Sequence, residues 1–268
     1  MSNRLAAVSS LDGQRPAGPV YRSIIAVDLE GSTTRTNLVK GELRRVMYEL
    51  LGRALDAVAI TGNRLEQLTD RGDGVLVLIR AHDDVPKTVL LGRLIPLLTA
   101  LLTEYNAQAA QPALRMRLRA VVHAGEVHLD GRGCYGEAID IAIRLLDAAP
   151  VKRTLKHTQA PLVLVISDEI YSGIVWHGYV DANAYAPMVR VCVANRRHRG
   201  WVHVPPAGGA TVVSGPAAAS RSSALVVAGG RAQHPVAAII GYADGLARAG
   251  PMAGWATWFT SAVSRRAS

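Results

Sequence analysis

The chain has little aromatic material, one phenylalanine and 5% Phe, Trp and Tyr together in 268 residues, so its interior must be filled by Leu, Val, Ile and Ala. Its two cysteines, Cys134 and Cys192, are too few and too far apart for a zinc or disulfide framework. His123 and His128, five residues apart on a strand-like stretch, lack the spacing of a metal pair. No signal-peptide core opens the sequence, and no window approaches the roughly twenty uninterrupted apolar residues of a membrane helix. The most apolar part of the tail is broken by Arg231 and His234. These absences lead to the expectation of a soluble, cytoplasmic chain with no membrane partner.

Acidic residues are also scarce, 21 against 30 Lys and Arg, for a formal charge of +9. Such an excess serves nucleic acid in other proteins, because lysine and arginine neutralise phosphates. Here the basic residues are scattered, apart from Arg196-Arg197-His198-Arg199 and Arg265-Arg266, and no aromatic residues interleave to stack bases. No nucleic-acid partner is therefore expected. A nucleoside triphosphate is an equally acidic partner.

Nearly half of the residues are apolar, 49%, enough for one sizeable core. Residues 1–20, with Pro16, Gly18 and Pro19 and no apolar period, read as a flexible leader, and residues 21–205 as one domain. Residues 206–268 turn to Ala, Gly, Ser, Val and Pro and read as a weakly ordered tail, with a short helix near 236–247 and Trp255 and Trp258 as a candidate anchor. Within the domain, strand and helix patterns alternate. A buried strand at Ile24 is followed by an amphipathic helix over 38–60, then by a hairpin with arms 64–69 and 75–80. A leucine-rich helix from Pro86 to Gln108 comes next. A strand over 114–123 follows, with a turn at Ala124-Gly125 and a short partner over 126–129. Arg115, Arg117 and Arg119 alternate with Met116, Leu118 and Ala120, which predicts one buried face and one basic face. From Gly136 the spacing is helical, with Ile139, Ile143 and Leu146 on one side and Asp140 and Arg144 sharing a neighbouring stripe. A strand over 161–166, a helix over 168–175 and a hairpin over 188–204 complete an α/β or α+β pattern with one main sheet.

Two carboxylates stand out. Asp28 ends the Ile24-Ile25-Ala26-Val27 run and opens into Gly31-Ser32-Thr33, whose backbone and hydroxyls could seat a cation and a phosphate chain. Asp73 lies in Gly72-Asp73-Gly74, at the tip of the hairpin. Carboxylates from two strands that meet at one sheet edge suit phosphoryl transfer with two cations. Each stretch by itself is equally a helix cap or a tight turn.

Four stretches in order, Val27-Asp28-Leu29-Glu30-Gly31-Ser32-Thr33, Gly72-Asp73-Gly74, Val122-His123-Ala124-Gly125-Glu126-Val127 and Gly136 to Leu145, resemble those of the class III nucleotidyl cyclase catalytic domain, over residues 22–205. The resemblance implies an α+β fold, with a ferredoxin-like βαββαβ core and additional C-terminal strands. It also implies a head-to-tail homodimer with shared active sites, and a nucleoside triphosphate cyclised with two Mg²⁺ or Mn²⁺ ions per site. Asp28 and Asp73, with the Leu29 carbonyl, match the family's metal ligands. Gly31, Ser32 and Thr33 remain the candidate phosphate-binding residues on their own chemistry, and Arg144 matches the family's arginine that stabilises charge on the α-phosphate.

The chain departs from the family's pattern at four places. Asp140 stands where the family has a transition-state asparagine, and a carboxylate accepts a hydrogen bond from the ribose but donates none. Thr69 and Gly133, with Cys134 beside it, fall on the two base-recognition positions and follow neither purine rule, which leaves a pyrimidine product open. The triphosphate lysine of the closing hairpin falls near Pro205; Arg199, or Arg197, is the candidate substitute. A diguanylate cyclase is set aside, since its Gly-Gly-Asp/Glu-Glu-Phe turn is missing and Phe259 lies in the tail. The expected activity is a nucleotidyl cyclase; the alternative is a catalytically degenerate cyclase-like module that binds nucleotide or a partner.

Overall fold

A computed structural model describes residues 18–206. The leader to residue 17 and the tail from 207, with the expected helix near 236–247, Trp255 and Trp258, lie outside the described residues.

The apolar run at Ile24 forms the middle of β1 (Val20–Leu29), where Ile24, Ile25, Ala26 and Val27 are all buried. Helix α1 (Asn37–Ala57) follows; Thr36 caps it by accepting a hydrogen bond from the Val39 amide, and Leu43, Val46, Met47, Leu50 and Leu51 face inward at three-and-four spacing. The hairpin is β2 (Leu65–Asp70) and β3 (Gly74–Arg80). A continuous helix over Lys87–Gln108 comes next, built from α2 (Lys87–Val89), a π turn (Leu90–Leu94) and α3 (Ile95–Gln108). By length and mean hydropathy, 1.3, this run would suffice to cross a membrane. Leu90, Leu94, Ile95, Leu98 and Leu102 are instead packed in the core.

Strand β4 (Leu118–Leu129) lies antiparallel to β1, and β1 lies antiparallel to β3, giving the order β4-β1-β3-β2. With α1 between β1 and β2 and Lys87–Gln108 between β3 and β4, this is the expected βαββαβ core. Helices α4 (Glu137–Leu146) and α5 (Ala149–His157) carry the chain to β6 (Leu162–Ser167), which pairs parallel with β4. Helix α6 (Asp168–Ile170) runs on into a π turn (Tyr171–Val175), and the hairpin of β7 (Ala186–Val193) and β8 (Arg196–His203) closes the sheet beside β6. The two-residue strand β5 (Cys134–Tyr135) pairs with the end of β4. The class is α+β with one large mixed sheet.

Both faces of the sheet are buried. Ile25, Val27, Val77 and Val122 meet α1 and α3 on one face; Ile24, Ala26, Val121 and Val165 meet α4 and α5 on the other. This second layer corrects three expectations. Only Arg115 of the arginine stripe faces water: Arg119 is 8% exposed, and Arg117 donates to the Ala160 and Thr158 carbonyls and also to that of Leu155. The strand itself begins at Leu118, after a 3-10 turn at Pro112–Leu114. Ala124-Gly125 is not a turn, because β4 continues through it, paired to Ser23 and Arg22. The small residues are there for packing: a Cβ at Gly125 would stand 2.8 Å from Ala138 Cβ on α4. On α4 the buried residues are Ala138, Ile139, Ile141, Ala142, Leu145 and Leu146, while Ile143 is half-buried.

Candidate active site

The pairing of β1 with β3 brings the two carboxylate residues together. Asp28 is the partner of Gly74 in register, and the Leu29 amide donates to the Asp73 carbonyl at 3.0 Å. Only glycine fits at position 74, since a Cβ there would lie 2.5 Å from the Val27 carbonyl oxygen and 3.3 Å from Asp28 Oδ1. Beyond Leu29 the chain turns at Gly31 into a 3-10 turn, Ser32–Thr34, and Ser32 is buried with its hydroxyl donating to the Asp73 carboxylate. A cleft of about 280 Å³ opens there, lined by Leu29, Ser32, Thr33, Lys40, Arg44, Gly72 and Asp73.

The Asp28 carboxylate is held by Arg119 from β4. Arg119 also reaches Asp147 at 3.5 Å, just past the end of α4, and Asp147 takes Lys152 at 3.2 Å. Burial pulls the Arg119 guanidinium below its usual value, with Asp147 opposing, and its Nε is buried without a partner among the described residues. On the other side of the hairpin, Arg44 grips Asp70 through both carboxylate oxygens while the Gly72 amide donates to Asp70 Oδ1 at 2.6 Å. Burial raises the Asp70 carboxyl, but these donors together hold it below the usual range.

Asp28, Asp73 and the Leu29 carbonyl make an all-oxygen donor set. Such a set fits Mg²⁺ or Mn²⁺, hard cations that keep water and substrate phosphates in the rest of their shell and so need few protein ligands. Two carboxylates are what the protein offers: among the described residues there is no cluster of three or more His, Cys, Asp and Glu that could hold a metal.

No protein-family model matches this chain, and neither does any of the curated proteins. Among solved structures it is similar to the adenylate/guanylate cyclase/hydrolase from Silicibacter pomeroyi, at 18% identity over 70% of this chain and 99% of that one, with a TM-score of 0.48. It is also similar to the guanylyl cyclase Cya2, at 16% identity over 71% and 95%, with a TM-score of 0.47. A third is the catalytic core of a rhodopsin-guanylyl cyclase with converted specificity, in complex with ATPαS, at 13% identity over 71% and 99%, with a TM-score of 0.48. These are class III nucleotidyl cyclase catalytic domains.

The remaining candidate site residues are distributed unevenly. Asp140 and Arg144 are exposed on α4, outside the cleft, and neither makes a salt bridge among the described residues. Arg199 is exposed on β8, three strands from β1 in sheet order and directly opposite Arg190. Within one chain it is not brought to the cleft. Thr69 is on β2, two residues before Arg71, and its Oγ1 is buried without a hydrogen-bond partner among the described residues. Gly133 sits in a turn closed by Asp130, whose Oδ1 accepts from the Arg132 and Gly133 amides. The adjacent Cys134 thiol is pushed up by burial and lies within electrostatic range of Arg71. Pro205 follows the end of β8 and offers no charge.

Lys40, Arg44 and Arg119 are absent from the sequence-derived set. Lys40 and Arg44 were legible as a pair four apart on the helix that follows the glycine turn. Arg119 required the register of β1 against β4, which only the fold supplies.

Proposed function

We propose that the chain is a nucleotidyl cyclase that converts a nucleoside triphosphate to a 3′,5′-cyclic nucleotide and pyrophosphate. The observation that carries this reading is the pairing of Asp28 with Gly74, which sets Asp28 next to the turn whose Asp73 lines a cleft with Ser32, Thr33 and Lys40. Asp28, Asp73 and the Leu29 carbonyl would hold two Mg²⁺ or Mn²⁺ ions, which when bound acidify the ribose 3′-hydroxyl and neutralise phosphate oxygens. Ser32 and Thr33, with the Gly31 backbone, would orient the phosphate chain. In the reaction the ribose 3′-oxygen attacks the α-phosphorus, the bond to the bridging oxygen breaks, pyrophosphate leaves with the electron pair, and the hydroxyl proton passes to solvent.

Charge that builds on the α-phosphate in this step needs a cation aimed at it. Arg144 has that role here, and Asp140 accepts a hydrogen bond from the ribose. Both residues lie exposed on α4 outside their own chain's cleft, which supports a head-to-tail homodimer in which each α4 serves the partner's site. Thr69 and Gly133 would read the base. Thr69 and Gly133 follow neither purine pattern, so the base is unassigned and a pyrimidine triphosphate is one of the candidates.

One observation favours the second reading, a degenerate cyclase-like binding or interaction module: Arg119 already occupies the Asp28 carboxylate that a cation needs. Asp73→Asn tests the metal assignment on which the first reading depends. Asp73 is held by the Ser32 hydroxyl, so the substitution should leave the melting temperature of metal-free protein nearly unchanged while abolishing turnover in a Mn²⁺ titration. A variant that keeps the wild-type rate across the titration would mean that Asp73 is not a metal ligand.

A further inference from the structure

The cleft that would hold the triphosphate contains two cations of its own, and they are not equivalent. Arg44 is committed: it binds Asp70 through both oxygens, lies 5.8 Å from the Tyr48 ring centroid, and so ties α1 to the turn that carries Asp73. Lys40, one helical turn earlier and half-buried, lines the same cleft and makes no salt bridge among the described residues. Its place is unfavourable in isolation, because a lysine in the first turn of a helix faces the positive end of the helix dipole, and no acid in that turn offsets it. Across the cleft stand the hydroxyls of Ser32 and Thr33 and the single carboxylate Asp73. Meanwhile the closing hairpin ends in Pro205, and Arg199 is three strands away from β1.

We infer that Lys40 is the cation that holds the terminal phosphates of the nucleotide, so that the phosphate subsite is completed from within the protomer that carries Asp28 and Asp73. The inference rests on the cyclase reading above and assigns the tail of its substrate to α1. An ammonium on a flexible stem suits this place, since it follows a phosphate as a point charge without the fixed fork of arginine. Arg44 is then a positioning residue for the Asp70–Gly74 turn.

The test uses the full chain with Mn²⁺ and 3′-deoxynucleoside triphosphates, which lack the attacking hydroxyl and so report binding alone. Calorimetry compares each triphosphate with the corresponding 3′-deoxynucleoside monophosphate. For the wild type, the triphosphate should bind more tightly. Lys40→Ala should lose about tenfold or more of triphosphate affinity and leave monophosphate affinity within about twofold, because a charge contact to the terminal phosphates is all that is removed. Lys40→Arg should recover most of the loss, and Arg199→Ala should show none. Wild-type triphosphate affinity in Lys40→Ala, or an equal loss for mono- and triphosphate, would overturn the assignment of Lys40 alone. A wild-type chain that binds no triphosphate would overturn the cyclase reading, and the assignment with it.

Discussion

Asp28 is held by the buried Arg119 guanidinium, which a cation bound there would have to displace. That conflict makes Asp28→Asn a poor probe of metal binding by itself. The amide would leave Arg119 to the more distant Asp147, and breaking a buried pair is costly, so Asp28→Asn should destabilise the metal-free protein by about 1–3 kcal/mol. Urea unfolding without metal checks this; an unchanged midpoint would mean that the pair contributes nothing to the fold. His123 is a second residue whose chemistry is set by burial. It is 6% exposed, its Nδ1 is 2.7 Å from Ser167 Oγ, and burial, with repulsion from His198 and Lys87, pushes it down to about 4 from 6.5. Below pH 6.5 the unfolded chain takes up a proton that the folded chain refuses. The contribution is therefore complete above 6.5 and is lost as pH falls toward 4, by at most on the order of 3 kcal/mol. His123→Gln should flatten the fall in unfolding free energy between pH 7 and 5, leaving a residual slope from His203, which burial also pushes down. A slope as steep as wild type would contradict the assignment.

At the scale of elements, α4 is held to β4 at the point where Gly125 meets Ala138. Gly125→Ala puts two methyl carbons about 2.8 Å apart, so the helix must lift; overpacking of this kind costs about 1–3 kcal/mol. Thermal unfolding should show the loss, and Ala138→Gly in the same chain should restore part of it. If the single variant melts like wild type, the contact is not tight. This junction also marks where sequence pattern stops being informative. The runs at Ile24, Leu43 and Val75 announced β1, α1 and β3 because their apolar periods are strong, and the first two are stopped by Gly31 and Gly62. Ala124-Gly125 misled because the same two small residues serve a turn and a close helix–strand contact equally well. The alternation of Arg115, Arg117 and Arg119 misled for a related reason: an arginine on a strand looks solvated until a second layer, α4 and α5, covers it and supplies carbonyls and carboxylates. The Asp28 and Asp73 pair was legible, since Asp28 ends an apolar strand and Asp73 sits at the tip of a hairpin. The cation on Asp28 and the lysine in the cleft were not, because each depends on which strands and helices adjoin.

For the whole molecule, the separation of Asp28 and Asp73 from Asp140 and Arg144 is the feature with the most consequences. If two chains combine head to tail, Asp73→Asn and Arg144→Ala homodimers should each be nearly inactive, Arg144→Ala by about 10²-fold or more, as for other lost electrostatic donors. Mixed and allowed to exchange in equal amounts, they should recover toward about a quarter of the wild-type rate, since about half of the dimers are mixed and each has one intact site of two. No recovery, with exchange followed by tags, would mean that the residues act within one chain or that the dimer has another geometry. The tail is expected to be dispensable: a chain ending at residue 206 should stay soluble with similar activity, and an insoluble product would show that the tail is part of the fold. All of this presupposes turnover. Purified full-length protein incubated with each of the four ribonucleoside triphosphates and Mn²⁺, with products identified by mass, should yield a 3′,5′-cyclic nucleotide and an equal amount of pyrophosphate from at least one; no cyclic product from any of them, with intact triphosphate still bound, would contradict a cyclase and leave a nucleotide-binding module.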